Sequence, residues 1–338
     1  MKKIINLFIV LFVSIWSFAQ SNVQNTIVYS LPKTKLFIEV ETEKATYVPG
    51  DFYQYSERYL ATKDVVTEEK TNYSLKNIRV NTEVVPDENR TYSISWNTKK
   101  AVLYNITVNE KGILCGINTT CEPKTQLKKK IVHRQTLAKK HDLLPMGEEY
   151  ILATSKAKMA ELVAKQIYNI RENRMMLLAG DVEHYPDGKS FALLMKEMDK
   201  MERELTELFV GKVIRETQTH TIEYVPENPS ANDILFRLSV LSGVVSSGDL
   251  SGAPYYISIA TTPSQLAAAP QEQSNSVIRT IYPASAKITI SNEATTYFSG
   301  DFCLPQFGTV VELTDNLLRN EKVKVRVDTE TGRLLSIE

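Results

Sequence analysis

The spacing of apolar residues changes character twice along this chain. From Ile27 to about Val108 it is a two-residue alternation: Leu36, Ile38 and Val40 share one face, with Phe37, Glu39 and Glu41 on the other. That rhythm predicts half-buried strands. The candidates are the segment around Leu36–Val40, then Tyr73–Val80, Thr91–Trp96 and Ala101–Val108, divided by turn signals at Val48-Pro49-Gly50-Asp51 and Pro86-Asp87-Glu88-Asn89. Between residues 154 and 211 the rhythm becomes helical. Ala160, Val163, Ile167, Ile170 and Leu177 recur at three- and four-residue steps, as do Leu194, Met198, Met201, Leu205 and Leu208. Ser155 or Thr154 and then Ser190 or Asp187 are placed to cap the two helices, and Gly180 and Gly211 to end them. The short connector Asp181–Lys189 predicts an antiparallel pair about 30–36 Å long. Arg174 falls on the apolar stripe, so the seam is expected to open toward the tip. After Gly211 alternation returns, with Thr217, Thr219, Thr221 and Glu223 on one face, followed by Leu235–Val240, Tyr255–Ala260, Lys287–Ser291, Thr309–Leu313 and Val323–Val327. Ser242–Gly252 and Thr261–Asn275 predict exposed loops.

The fold class is therefore α+β: two mostly antiparallel β units, sandwich- or barrel-like, with an inserted long antiparallel helical hairpin. The organisation expected is a signal peptide over 1–19, an N-terminal β domain over 20–121, a basic connector over 122–153, the hairpin over 154–211 and a C-terminal β domain over 212–338. An internal echo supports paired β units. Ile38 to Phe52 matches Ile288 to Phe302 at a constant offset of 250, including Gly50-Asp51-Phe52 against Gly300-Asp301-Phe302. Shared ancestry and shared strand-to-turn chemistry both account for it.

The leading segment sets the expected address. Lys2 and Lys3 precede an apolar run from Ile4 to Phe18, and Ser17-Phe18-Ala19 offers the small side chains that a signal peptidase reads. The run is short for a membrane span. The expectation is an exported chain, periplasmic or secreted, not membrane-spanning once the signal is removed. Such an address argues against ATP-, NAD- and nucleic-acid-dependent functions. The 40 basic and 40 acidic residues cancel, leaving no field of one sign to attract nucleic acid. The lysines and arginines of the 122–150 stretch come without aromatic residues to stack on bases. Export permits a small disulfide loop between Cys115 and Cys121, although two buried thiols fit the same spacing. Cys303 is left over.

Little in the chain signals catalysis. There is no Gly-x-Ser-x-Gly elbow, and Ser155-Lys-Ala-Lys158 lacks the partner motifs of the enzymes that use Ser-x-x-Lys. The histidines His133, His141, His184 and His220 have no zinc-binding spacing. Glu183-His184-Tyr185 with Asp181 and Asp187 is better read as a polar turn than as a metal site, so no metal and no cofactor are expected. Tyr53, Tyr55 and Arg58 cluster with Phe52 and Tyr59 after the first Gly-Asp-Phe, and Trp96 ends a strand. Rings of this kind stack on sugars when exposed and pack across strands when not. Lys165, Gln166, Arg171 and Lys196 lie on the polar side of the hairpin, where a partner would meet them.

Several stretches resemble a family of exported envelope proteins from Bacteroidota, defined as a domain of unknown function. They are Val28-Tyr-Ser-Leu-Pro32 through Phe52 to Leu60, Ala160 to Arg174, Leu178-Ala-Gly-Asp181, Pro186-Asp-Gly188, Gln306 to Val311, and Asp328 to Gly332. The resemblance implies a periplasmic address and carries no activity or catalytic residue. The expected function is a non-enzymatic periplasmic scaffold or partner-binding protein. The alternatives are a glycan- or peptidoglycan-binding module on Tyr53, Tyr55 and Trp96, and a hydrolase with a site assembled across domains.

Overall fold

The computed structural model describes residues 25–96, 105–121, 146–182, 187–262, 277–313 and 323–338. The expected signal segment, the basic connector up to residue 145, the Glu183–Tyr185 turn, His133, His141 and nearly all of the Thr261–Asn275 excursion lie outside these.

The protein is mostly antiparallel β-sheet with a few helices. Strand β1 (Asn25–Val48) is followed by a 3-10 turn (Tyr53–Tyr55), α1 (Ser56–Leu60), β2 (Lys70–Trp96) and the short hairpin of β3 (Ile106–Val108) and β4 (Leu114–Ile117). Helices α2 (Glu148–Leu152), α3 (Lys156–Ala179) and α4 (Gly188–Val210) come next. The chain then runs through β5 (Lys212–Tyr224), β6 (Ser230–Ser239), β7 (Gly243–Val245), β8 (Ala253–Thr261), β9 (Ile278–Ser291), β10 (Thr296–Leu313), β11 (Val325–Val327) and β12 (Leu334–Ile337). Three sheets result, ordered β2-β1-β5, β10-β9-β8-β6-β7 and β12-β11-β4-β3.

Alternation decides which faces are covered. Leu36, Ile38 and Val40 of β1 and Ile78 of β2 pack against Phe236, Tyr255, Ile257, Ile259, Ile288 and Ile290 of the second sheet. A second core joins Tyr29, Leu31 and Ile94 to Ile106, Leu114, Ile117, Ile278, Ile281, Leu313, Val325 and Val327. Fully burying such a side chain contributes about 1.5–3 kcal/mol. Both cores draw on residues from either side of the helices. The closing strand β11 supplies Val325 and Val327 to the second core.

Two expectations change here. The Pro86–Asn89 signal does not separate two strands, because β2 continues through it. Ser30 pairs with Thr91 and Pro32 with Pro86, so four residues of β2 bulge out opposite Leu31 alone. Proline, which has no N–H for a ladder, is tolerated at such a place on an edge strand. Asp87 satisfies the bulge locally, its carboxylate accepting from the Asn89 N–H at 3.1 Å. Likewise Ser242–Gly252 is largely exposed, as expected, but is not wholly a loop. It contains β7, and Arg237 holds it by donating to the Ser247 and Gly252 carbonyls, both at 3.0 Å.

The internal echo has a structural counterpart that is only partly collinear. Strand β10 bulges by the same four residues: Leu304 pairs with Ala284 and Thr309 with Tyr282, leaving Pro283 alone opposite. In each case a short hairpin follows. The Gly112 carbonyl accepts from the Ser30 N–H, and the Gly332 carbonyl from the Ile281 N–H, both at 2.9 Å. Ile38 and Ile288, 250 residues apart, are both wholly buried in the first core. The other half of the match is not equivalent. Gly50-Asp51-Phe52 leaves β1 for the 3-10 turn, whereas Gly300-Asp301-Phe302 lies inside β10.

The two bulges meet in a polar knot. The Arg90 guanidinium donates to the carbonyls of Pro305 (3.2 Å) and Gln306 (2.8 Å). The Gln306 amide donates to the carbonyls of Thr34 (2.9 Å) and Pro226 (3.3 Å) and accepts from the Thr34 N–H (3.1 Å). At Gly308 a Cβ would come within 2.4 Å of the Tyr282 carbonyl oxygen, so only glycine allows the bulge to fold this closely onto β9.

Candidate functional site

The most distinctive surface is the pair α3 and α4, and its termini follow local chemistry. Ser155 caps α3, its hydroxyl accepting from the Lys158 N–H at 3.3 Å. Asp187 caps α4, accepting from the Ser190 N–H at 2.7 Å. Those hydrogen bonds from Ser190 hold the Asp187 carboxyl below the usual carboxylate range. Gly180 ends α3 in the left-handed conformation, with φ of 77°. Ser155 and Lys158 form no nucleophile–base pair, because the Lys158 ammonium is turned to Glu161 at 2.8 Å.

The helices run antiparallel. Arg171 meets Glu202 at 2.6 Å, and Arg174 meets Asp199 at 2.5 Å and Glu202 at 2.7 Å. Ala160, Val163, Ala164, Ile167 and Ile170 pack with Met198, Leu205 and Phe209, and Leu177 packs against the same core from beyond Arg174. Arg174 lies beside the apolar seam, which continues past it through Leu177 and Met198, and two carboxylates of α4 receive its guanidinium.

The aromatic cluster is the foot of this pair. Phe52 donates its N–H to the Leu208 carbonyl at 2.7 Å, and its ring lies 5.6 Å from that of Phe209. Tyr55 and Tyr59 pack on the same core, and the Tyr168 hydroxyl donates to the Tyr59 carbonyl at 2.7 Å. Arg58 lies over the Tyr59 ring at 5.3 Å. Tyr53 is half-buried, its hydroxyl accepting from Gln54. Tyr53, Tyr55 and Arg58 share the segment of the 3-10 turn and α1, where Tyr55 and Arg58 both approach Tyr59 and Tyr53 meets Gln54. The structure does not bring Trp96 to them: Trp96 pairs with Asn25, while the aromatic end of the ribbon closes at Tyr47 and Lys70. At 3.3 Å per residue, roughly 70 Å of strand separates the two places. Tyr53 and Tyr55 stand in the 3-10 turn, outside the sheet, and Trp96 belongs to the other end of the ribbon, so the three residues share no sheet face.

Lys165 and Lys196 are exposed on the helical pair, whereas Arg171 is committed to Glu202 and also lies 5.7 Å from the Tyr168 ring. Gln166 lines a groove of about 620 Å³ with Met146, Gly147, Glu148, Glu149, Tyr150, Leu162 and Val163. Burial, and then the Asp51 carboxylate, raise the Tyr150 hydroxyl above its ordinary value. Glu148 and Glu149 are neighbours on one turn and diverge by about 100°, unlike two carboxyls facing each other across a glycosidic bond. Cys115 and Cys121 are bonded to each other, with 5.5 Å between their Cα atoms. Cys303 is an exposed thiol, and desolvation raises its pKa. His220, the one histidine among the described residues, sits opposite Val40 on the core side of β5. Among the described residues no group of three His, Cys, Asp or Glu side chains could hold a metal ion, and no helix is long and apolar enough to cross a membrane.

What the sequence reading passed over is the far end of the pair. Beyond the Arg174 layer, Met175 (70%), Leu178 (59%), Leu193 (61%), Met176 (44%) and Leu194 (38%) are exposed. The signal was present. Met175-Met176-Leu177-Leu178 is apolar at four successive positions, more than one helix face can bury.

These features define an antiparallel β protein carrying a helical pair with an unburied apolar end. The chain belongs to the family described as domain of unknown function DUF4831, whose model matches residues 25–335. A search of the curated proteins and a search of the solved structures found no match.

Proposed function

We propose that this is an exported, non-enzymatic envelope protein that binds a protein partner through the far end of α3 and α4. The observation that carries the reading is the exposure of Met175, Leu178 and Leu193 beyond the Arg174 ion-pair layer. Large apolar side chains left exposed together at one end of a helix pair point to an interaction surface. A protein partner is favoured over an anionic lipid surface because the charges there are balanced: Arg171, Arg174, Lys189, Lys196 and Lys200 stand among Glu172, Asp181, Asp187, Glu197 and Asp199. The leading Lys2-Lys3 and the apolar run to Phe18 support export, and the bonding of Cys115 to Cys121 is consistent with an oxidising compartment.

The test is a photo-crosslinking residue at Leu193 in intact cells. One stoichiometric protein adduct is expected, and L178E should abolish it. Adducts to lipid alone, or a protein adduct that survives L178E, would overturn the reading.

A further inference from the structure

Exposed sheet edges tend to pair with other chains, and proteins blunt them with bulges, prolines, short strands or coverings. Most edges among the described strands are blunted in this way. β2 is broken by its four-residue bulge and by a second register shift opposite Glu41 and Thr42, and its Tyr73 N–H is capped by the Val240 carbonyl at 2.7 Å. β10 is broken by its own bulge, and β3, β7 and β12 are three or four residues long. Among the described residues β5 carries charged side chains but has no bulge, no proline, no short span and no covering. It is the outer strand of the first sheet and pairs with β1 from Lys212 to Tyr224 without a register shift. It contains no proline and no glycine.

We propose that this edge joins two copies of the chain, β5 against β5, in a continuous six-stranded antiparallel sheet. The occupant follows from the order of charges. On the exposed face β5 presents Arg215, Thr217, Thr219, Thr221 and Glu223 in that order. A two-fold axis through Thr219 sets Arg215 against Glu223 of the second copy, Thr217 against Thr221, and Thr219 against itself. On the opposite face it sets Gln218 against His220, Glu216 against Ile222 and Ile214 against Tyr224. Opposite charges and paired threonines are the cross-strand pairs that stabilise antiparallel strands, and the two-fold supplies Arg215–Glu223 and Thr217–Thr221 twice each. The flanking strand continues the pattern, since Arg215 already pairs with Glu43 at 2.6 Å and Glu223 with Lys35. The junction would read Lys35, Glu223, Arg215, Glu43, with alternating sign across the two molecules. β5 is thus complementary to its own reverse, and an unrelated extended peptide would have to supply that order of charges itself. The inference does not rest on what the helical pair binds.

The test is sedimentation equilibrium of the purified protein from about 1 to 100 µM, a span that covers dissociation constants in the micromolar range. A monomer–dimer equilibrium is expected. R215E and E223R should each raise the dissociation constant by at least about tenfold, because each reverses two cross-strand pairs per dimer. The double variant R215E/E223R restores opposite charges across the junction but sets them beside the like charges of Glu43 and Lys35, so it should bind at least about threefold more tightly than either single variant without fully regaining the parent constant. Circular dichroism of all three variants separates loss of pairing from loss of fold. A protein monomeric throughout the range, a dimer indifferent to both single reversals, or a double variant that stays dissociated would overturn the proposal.

Discussion

Gln306 is a side chain doing three backbone jobs. It lies where β10 bulges away from β9, and its amide satisfies both the N–H and the carbonyl of Thr34 and the carbonyl of Pro226. Thr34 is itself buried, so water does not readily replace these bonds. An unsatisfied buried polar group costs about 1–3 kcal/mol. Q306A should therefore destabilise by about 2–3 kcal/mol, well above the few tenths typical of a surface substitution. Urea unfolding checks this, and a loss under about 0.5 kcal/mol would mean that the bulges close without the amide. The parallel case is Arg90, which reaches the same turn from the other ribbon. The role of neither residue was legible in the sequence, because each acts on a partner more than two hundred positions away.

At the scale of elements, the helices were legible and the long ribbons were not. Ser155, Asp187 and Gly180 act on amides and carbonyls within a few residues, so their roles follow from local sequence alone. Pro86–Asn89 has the same local chemistry whether the chain reverses there or bulges. The choice is made by the partner strand, which offers only Leu31 opposite. The aromatic cluster after Gly50 was visible as a cluster, but its packing against α3 depends on Tyr168, more than a hundred positions on. Arg171 was legible as part of a polar face and not as half of a clasp. That clasp is unequal in a measurable way. Glu202 is 15% exposed and serves both Arg171 and Arg174, whereas Arg174 keeps Asp199 if Glu202 is lost. Removing Glu202 leaves two guanidinium groups short of a partner, and removing Arg171 leaves Glu202 still paired. E202A is expected to cost about 1–2 kcal/mol and R171A under about 1 kcal/mol. Thermal unfolding of the two single variants compares them directly, and equal losses would show that Arg174 does not share the carboxylate in solution.

At the scale of the whole molecule, two β units separated by helices in the sequence need not be two folding units. Leu36, Ile38 and Val40 of β1 bury themselves against Ile257, Ile288 and Ile290, while Tyr29 and Ile94 do so against Ile278 and Leu313. The first sheet itself needs both halves, because β5 from beyond the helices completes it against β1. The Tyr29 hydroxyl accepts from the Arg279 N–H at 2.8 Å, tying the two ribbons together at positions 250 residues apart. A chain cut on either side of the helices would expose the inner faces of both ribbons at once, at about 25 cal/mol for each Å² of apolar surface left in water. Fragments 25–121 and 212–338 made separately are therefore expected to remain unfolded, with no protected amides in hydrogen exchange. Mixed, they should regain structure to the extent that the first sheet can form without the helical pair. The intact protein should lose both cores in one calorimetric transition, with agreement between the calorimetric and van't Hoff enthalpies. A folded, protected 212–338 fragment, or two resolved β transitions in the intact chain, would show that the shared cores are interfaces between independent domains.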